Sequence, residues 1–363
     1  MTGQRLTRRE CLTRGAGAVV GAAVAAAGGY LLYDPQGDAG LPRSPDLAPG
    51  LKNYFEAIDF PAAAPRLSLA LGDEQRIEQI TRAAVCGLDP QRGMRRFIAA
   101  GDVVLIKPNA GFDRPPYLGA TTHPAVLRAV IRMCREAGAR EVLVTDNPIE
   151  SPAACFSKTG IDRAVAAEGA RLVLPAPHRF AMLKTRDHAP DPQGGEALGR
   201  WPVLYEPLAR ATKLIGIAPV KDHNLASASI VLKNWYGLLG GRRNQFHQAI
   251  HAVISDLALL ISPTLVIADA TRVMLQNGPT GGRISDVAPG GKLGRPTVVA
   301  AVDPVACDAW CYQNLLGRDP AQLPYLELAA RKIRAAVAAG QKRLGQHDWR
   351  AYEREGQITS SSL

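Results

Sequence analysis

Five short apolar, β-prone runs punctuate the chain, and each ends in polar residues. Val103-Val104-Leu105-Ile106 runs into Lys107-Pro108-Asn109, and Glu141-Val142-Leu143-Val144-Thr145 into Asp146-Asn147. Leu214-Ile215-Gly216-Ile217 leads towards Lys221-Asp222-His223, Leu265-Val266-Ile267-Ala268 into Asp269, and Val298-Val299-Ala300-Ala301-Val302 into Asp303. Runs that are apolar at every position are buried on both faces, as strands of parallel sheets are. Helical periodicity fills several of the gaps: His123 to Ala137, Ile161 to Glu168, Phe246 to Ile261 and Pro304 to Leu316. The alternation predicts an α/β fold, a mainly parallel sheet with flanking helices. In such a sheet a ligand crevice lies at the strand carboxyl ends, where the five polar termini are expected to converge.

The ends of the chain read differently. Thr7-Arg8-Arg9-Glu10-Cys11-Leu12 carries a twin arginine, and Gly15 to Tyr33 follows without a charge. Residues 1–33 therefore resemble a twin-arginine (Tat) export signal, cleaved after Ala25 or Ala27 or retained as a membrane tether. That implies engagement of the Tat export machinery and a place in the periplasm or on the outer side of a bacterial cytoplasmic membrane. Residues 34–65, rich in Pro, Gly and Ala, read as a linker. Residues 66–330 form the α/β domain, in one or two lobes, and 331–363 a surface helix and tail.

Charge narrows the partners. Lys plus Arg exceed Asp plus Glu by 43 to 33, a net +10 that falls to +7 without the first 33 residues. The surplus is spread along the chain and accompanies no nucleic-acid-binding motif, so an anionic small molecule is the expected partner and nucleic acid is not. The six cysteines include no CxxC pair, which leaves cysteine-run iron–sulfur clusters without ligands.

Several stretches, in order and spacing, resemble the domain-of-unknown-function 362 family across roughly Leu67 to Ala330. They are Val104-Leu105-Ile106-Lys107-Pro108-Asn109, Ala120-Thr121-Thr122-His123-Pro124, Thr159-Gly160-Ile161, Lys221-Asp222-His223, Leu232-Lys233-Asn234-Trp235-Tyr236-Gly237, Asn277-Gly278-Pro279-Thr280-Gly281-Gly282 and Asp303-Pro304-Val305-Ala306-Cys307-Asp308. The resemblance implies a fold and a pocket and leaves the reaction open. Many members carry iron–sulfur cysteine runs; this chain has none, so no iron–sulfur cluster is expected.

Two constellations carry candidate chemistry. His247 and His251 are four apart in an expected helix, a spacing that lets two imidazoles share a divalent metal ion, with His223 as a third ligand and Asp269 or Asp146 supplying an oxygen. Two ordinary histidines at the border of core and solvent would read the same way. Lys107, Lys221 and Lys233 lie at strand ends or beside the Lys-Asn-Trp-Tyr-Gly turn, where a lysine is costly to bury without an anionic partner. A carboxylate or phosphate substrate would serve, and so would Asp222 or Asp269. Asn109, Asn234 and Gly281 complete the expected substrate contacts, and Lys221 or Asp146 would move the proton. Asp303-Pro304 reads first as a helix start, Asp at the N-cap and Pro at the first helical position. Pro175 to Trp201, with basic residues and a Pro-Asp-Pro-Gln-Gly-Gly turn, reads as a hairpin excursion, a lid or a solvated loop. The whole describes a metal-dependent enzyme acting on an anionic small molecule, or alternatively a non-catalytic metal or cofactor carrier.

Overall fold

The computed structural model describes residues 46–184 and 197–363. The twin-arginine segment and residues 34–45 of the linker lie outside these residues. Strands β1 to β4 are Leu67–Leu71, Val103–Lys107, Glu141–Val144 and Arg171–Leu172. The hairpin strands β5 and β6 are Phe180–Lys184 and Arg200–Leu204. Then follow β7 (Lys213–His223), β8 (Ser227–Ser229), β9 (Leu265–Met274), β10 (Val287–Ala288), β11 (Thr297–Ala301) and β12 (Ile358–Ser362). The main sheet runs β12-β1-β11-β9-β7-β2-β3-β4, with β10 and β8 added beside β9 and β7. From β9 to β4 every neighbouring pair is parallel; the expected mainly parallel sheet is present.

Strand alternation feeds two cores. Val103 and Leu105 join one cluster with Leu214 and Val266, while Val104 and Ile106 join another with Ile215 and Ile267. Successive side chains point to opposite faces, so a strand apolar at each position needs helices on both sides. On one face lie α1 (Ile77–Cys86), α2 (Pro124–Glu136), α3 (Pro152–Thr159) and α4 (Ile161–Ala167). The short α5 (Tyr205–Arg210) and α6 (Val231–Asn234) belong to the other face with α7 (Ile250–Leu260), α8 (Pro304–Asn314), α9 (Pro324–Ala338) and α10 (Trp349–Arg354). Local chemistry sets the starts. His123 caps α2 by accepting the Ala125 amide at 3.2 Å, and Asp303 caps α8 by accepting those of Val305 and Ala306, each followed by Pro at the first helical position.

Four features depart from the sequence expectations. First, β9 continues through Met274, so Asp269 lies inside a strand. Second, β11 is antiparallel to β9 and to β1, which carries Asp303 to the opposite edge of the sheet; there its second oxygen accepts from Tyr352 and the Gln346 amide at 2.7 Å each. Third, the helix expected over 246–261 begins at Ile250, behind a 3-10 segment over Arg243–Ala249. Fourth, packing starts earlier and ends later than composition suggests. Tyr54 and Phe55 are buried, the Tyr54 hydroxyl donating to Leu208 O at 2.7 Å, and α9 starts at Pro324 and packs on α7. In the Pro175–Trp201 region Phe180–Lys184 pairs with Arg200–Leu204, β5 against β6, and residues 185–196 lie outside the described residues. Among the described residues no helix is long and apolar enough to cross a membrane.

Candidate functional site: a lysine crevice at the carboxyl edge

The carboxyl ends of β2, β3 and β7 place Lys107, Asp146 and Lys221 around one crevice, and the segment after β8 closes it with Lys233. Lys107, wholly buried, meets Asp146 at 2.7 Å. Its ammonium also donates to Pro108 O at 2.9 Å and Asn234 Oδ1 at 3.0 Å. Asn234 in turn donates to Lys107 O and Ile217 O, tying the ends of β2 and β7 together. Glycines make the turn fit. A Cβ on Gly237 would stand 2.3 Å from Asp146 Oδ1 and 2.8 Å from Lys107 Nζ, and one on Gly216 would strike the buried Trp235 ring at 2.7 Å. The Lys-Asn-Trp-Tyr-Gly stretch is thus spelled largely by packing.

Lys221, also buried, donates to Ala120 O and faces the Phe112 ring at 4.9 Å. Lys233, half-buried, stands 5.1 Å from the Tyr236 ring. Arg243 donates to Leu239 O at 3.1 Å and Asn147 O at 2.7 Å. Among the described residues no carboxylate stands within ion-pair distance of Lys221, Lys233 or Arg243; Asp146, paired with Lys107, is the acid in the crevice. These side chains, with Asn109 and Ser229, line a cavity of about 60 Å³.

Burial without enough counter-charge shows in the titration of the lysines. Desolvation lowers Lys107, partly opposed by Asp146. Lys221 is pushed well below the usual amine range by burial and then by Lys233. For Lys233, burial and the charges of Arg243 and Lys107 bring the amine down to about 7. A group at that value exchanges protons readily at neutral pH. The amino end of α6, which carries Lys233, rests on Asp308, whose carboxylate accepts the Val231 amide at 2.8 Å and the Tyr325 hydroxyl at 3.0 Å. Burial raises that carboxyl to about 7 against the lowering effect of these hydrogen bonds.

The remaining sequence candidates fall elsewhere or hold other posts. Both oxygens of Asp146 are engaged, Oδ1 by Lys107 and the Asn147 amide and Oδ2 by the Ala110 amide at 2.7 Å. Asn234 is similarly occupied as a brace. Gly281 sits over Met274, and Pro279 of the same loop lines the crevice. Asp222 binds Arg318 at 2.7 Å and the Gly278 amide at 3.0 Å, and Asp269 holds the His123 amide at 2.7 Å together with Thr271. Neither pairs with a lysine of the crevice.

The expected metal set of His223, His247, His251 and Asp269 is not assembled. Among the described residues no three His, Cys, Asp or Glu side chains gather closely enough to hold a metal ion. His247 belongs to the 3-10 segment and His251 to the first turn of α7, with a non-helical Ala249 (φ −126°, ψ 33°) between them, so the i, i+4 register is lost. His223 Nδ1 accepts the amides of Leu225 and Ala226, each at 3.2 Å. That places its proton on Nε2 and leaves no lone pair for a metal. Burial, then Lys233 and Lys221, and then the nearby His247 and His251 rings lower its pKa to about 2.

Arg243, Phe112, Ser229 and Tyr236 were not among the expected site residues. Arg243 follows Gly240-Gly241 in a loop, and nothing in its spacing points to the strand ends. The larger groove of about 910 Å³ between α1 and α2 is lined mostly with charges that are mutually paired, Arg132 to Glu78 and Arg82 to Glu136.

Fold and crevice together define an α/β protein with a cationic, carboxylate-poor pocket at the carboxyl edge of a parallel sheet. The chain belongs to the family described as "Domain of unknown function (DUF362)", whose model matches residues 104–313, a span that includes every lysine of the crevice. It is similar to the thylakoid-associated protein sll1697 of Synechocystis sp., at 27% identity over 251 residues, covering 65% of this chain and 70% of that one. Two solved structures are similar to parts of the chain. One is the lactate racemase apoprotein from Thermoanaerobacterium thermosaccharolyticum (14% identity, TM-score 0.32, 60% of this chain and 52% of that one). The other is a protein from Thermotoga maritima (14% identity, TM-score 0.28, 54% and 51%). The match spans about half the length of each of those structures.

Proposed function

We propose that the chain binds an anionic small molecule, a carboxylate or a phosphate, in the lysine crevice and moves a proton on it. The observation that carries this reading is the charge imbalance: Lys221, Lys233 and Arg243 share one small cavity whose carboxylate, Asp146, is already paired with Lys107. Buried cations without partners are costly, and a bound anion would relieve that cost. Lys233, near pKa 7, is the better proton carrier. Asp146, with both oxygens engaged, is better suited to holding Lys107 in place. The metal-dependent form of the reading finds no support in the placement of its four donors. A carrier that holds the anion without turnover rests on the same crevice, and turnover of a carboxylate or phosphate panel separates it from the enzyme.

Sulfate, fully ionised across the useful range, tests the site. The free Lys233 amine titrates near 7, and a bound anion raises its pKa, so affinity is complete below pH 7. Above that it falls by at most about tenfold per pH unit. Calorimetric titration between about pH 6 and 9 is expected to show this decline, and Lys233→Gln to bind more weakly with a flatter profile. No sulfate binding, or an unchanged profile in the variant, overturns the reading.

Export by the twin-arginine route is proposed on Arg8-Arg9 and the charge-free run behind them; the thylakoid-associated relative accords with a membrane-related location. Replacing both arginines with lysine is expected to hold the protein in the cytoplasm, as read by fractionation. Unchanged export sinks this.

A further inference from the structure

Beside the lysine crevice lies a second cavity of about 350 Å³, and the two share Asn147, Ile149 and Arg243 as a common wall. Their linings differ. The first is cationic, whereas the second is built from Pro148, Pro152, Pro175, Pro177 and Phe180 with glycine backbone, and Arg243 is its one charged residue. The sizes differ as well. At about 30 Å³ per water, 60 Å³ accommodates a carboxylate or phosphate group and little of the carbon skeleton that bears it. The rest of the molecule has a way out along the shared wall, where Ile149 is 55% exposed although apolar. Polar groups on that wall are partly engaged: Asn147 Nδ2 donates to Leu239 O at 2.8 Å, and the Asn147 main-chain carbonyl accepts from Arg243. Prolines fix the backbone of the second cavity, so little ordering cost attaches to filling it. A concavity of this size, lined by proline, Ile149 and Phe180 side chains together with polar backbone and Asn244, beside a few convergent charges has the form of a small-molecule site.

We infer that the ligand is an amphiphilic anion, with its charged head among the lysines and an apolar body of about ring size along the proline-lined cavity. This rests on the anion reading above and adds the second half of the molecule. The apolar part then contributes affinity through surface removed from water, and the lysines fix orientation.

Two matched pairs test it by calorimetry on the exported chain: methyl phosphate against 1-naphthyl phosphate, and acetate against 1-naphthylacetate. In the pair with the preferred head group, the naphthyl compound is expected to bind on the order of tenfold tighter or more. Ala176→Trp, which fills the proline-lined cavity, is expected to erase that advantage while the small anion binds as before, a result that also reports an intact fold. Should Ala176→Trp not fold, Ile149→Ser trims an exposed side chain at the shared wall and is expected to reduce the preference in part. Equal binding within both pairs, or a preference that survives these variants, overturns the amphiphile and leaves the anion site standing. Failure of all four compounds to bind overturns both.

Discussion

Among the described residues two buried lysine–aspartate pairs stand out, and their surroundings set them apart. Lys332 of α9 meets Asp256 of α7 inside the helical layer, both side chains almost fully enclosed. The other oxygen of Asp256 accepts the amides of Ala197 and Leu198 at 2.8 Å each, so the pair is locked into the packing. Lys107 and Asp146 are just as buried, yet Lys221, Lys233 and Arg243 crowd around them beside an open cavity. A buried ion pair by itself therefore says little about function. The informative quantity is the number of charges left over after pairing.

The contrast can be broken most sharply at the balanced pair. Lys332→Met leaves Asp256 buried without its cation and is expected to cost about 3–5 kcal/mol in urea unfolding, with sulfate raising its stability no more than it raises the parent's. Stability within error of the parent would show that this pair is not the structural one. A smaller effect is expected in the crevice, where Asp146→Asn still leaves Lys107 the acceptors Pro108 O and Asn234 Oδ1. The loss there is about 1–3 kcal/mol, and sulfate is expected to restore part of it by binding the folded state. Melting temperatures that respond equally to sulfate in parent and variant would erase the distinction between the two regions.

The sequence made the parallel strands and their lysine-bearing ends legible because fully apolar runs with polar termini have few other uses. Lys107 and Lys221 could be grouped from that pattern alone; Lys233 joins them only through the Lys-Asn-Trp-Tyr-Gly stretch. Strand direction could not be read. The run before Asp303 looks like the others, and only its antiparallel pairing with β9 and β1 removes it from the crevice. Asp269 was misplaced because Ala270-Thr271-Arg272 breaks the apolar run while the strand's backbone pairing continues to Met274. The histidine pair departs from its expected α-helical spacing for a local reason, since periodicity shows an amphipathic stripe and not whether its first turns are α-helical or 3-10. Arg243 went unseen because its neighbours in the crevice are distant in sequence and its anchors are backbone carbonyls, which carry no residue signature.

That anchoring has a consequence of its own. The carbonyls of Leu239 and Asn147 fix where the Arg243 guanidinium stands without cancelling its charge, and a guanidinium keeps its proton throughout the range in which proteins stay folded. Lys233 beside it gives up its proton gradually around neutrality. One cation is therefore a constant and the other a variable, so rising alkalinity dims the hold on an anion towards a floor set by Arg243 and never switches it off.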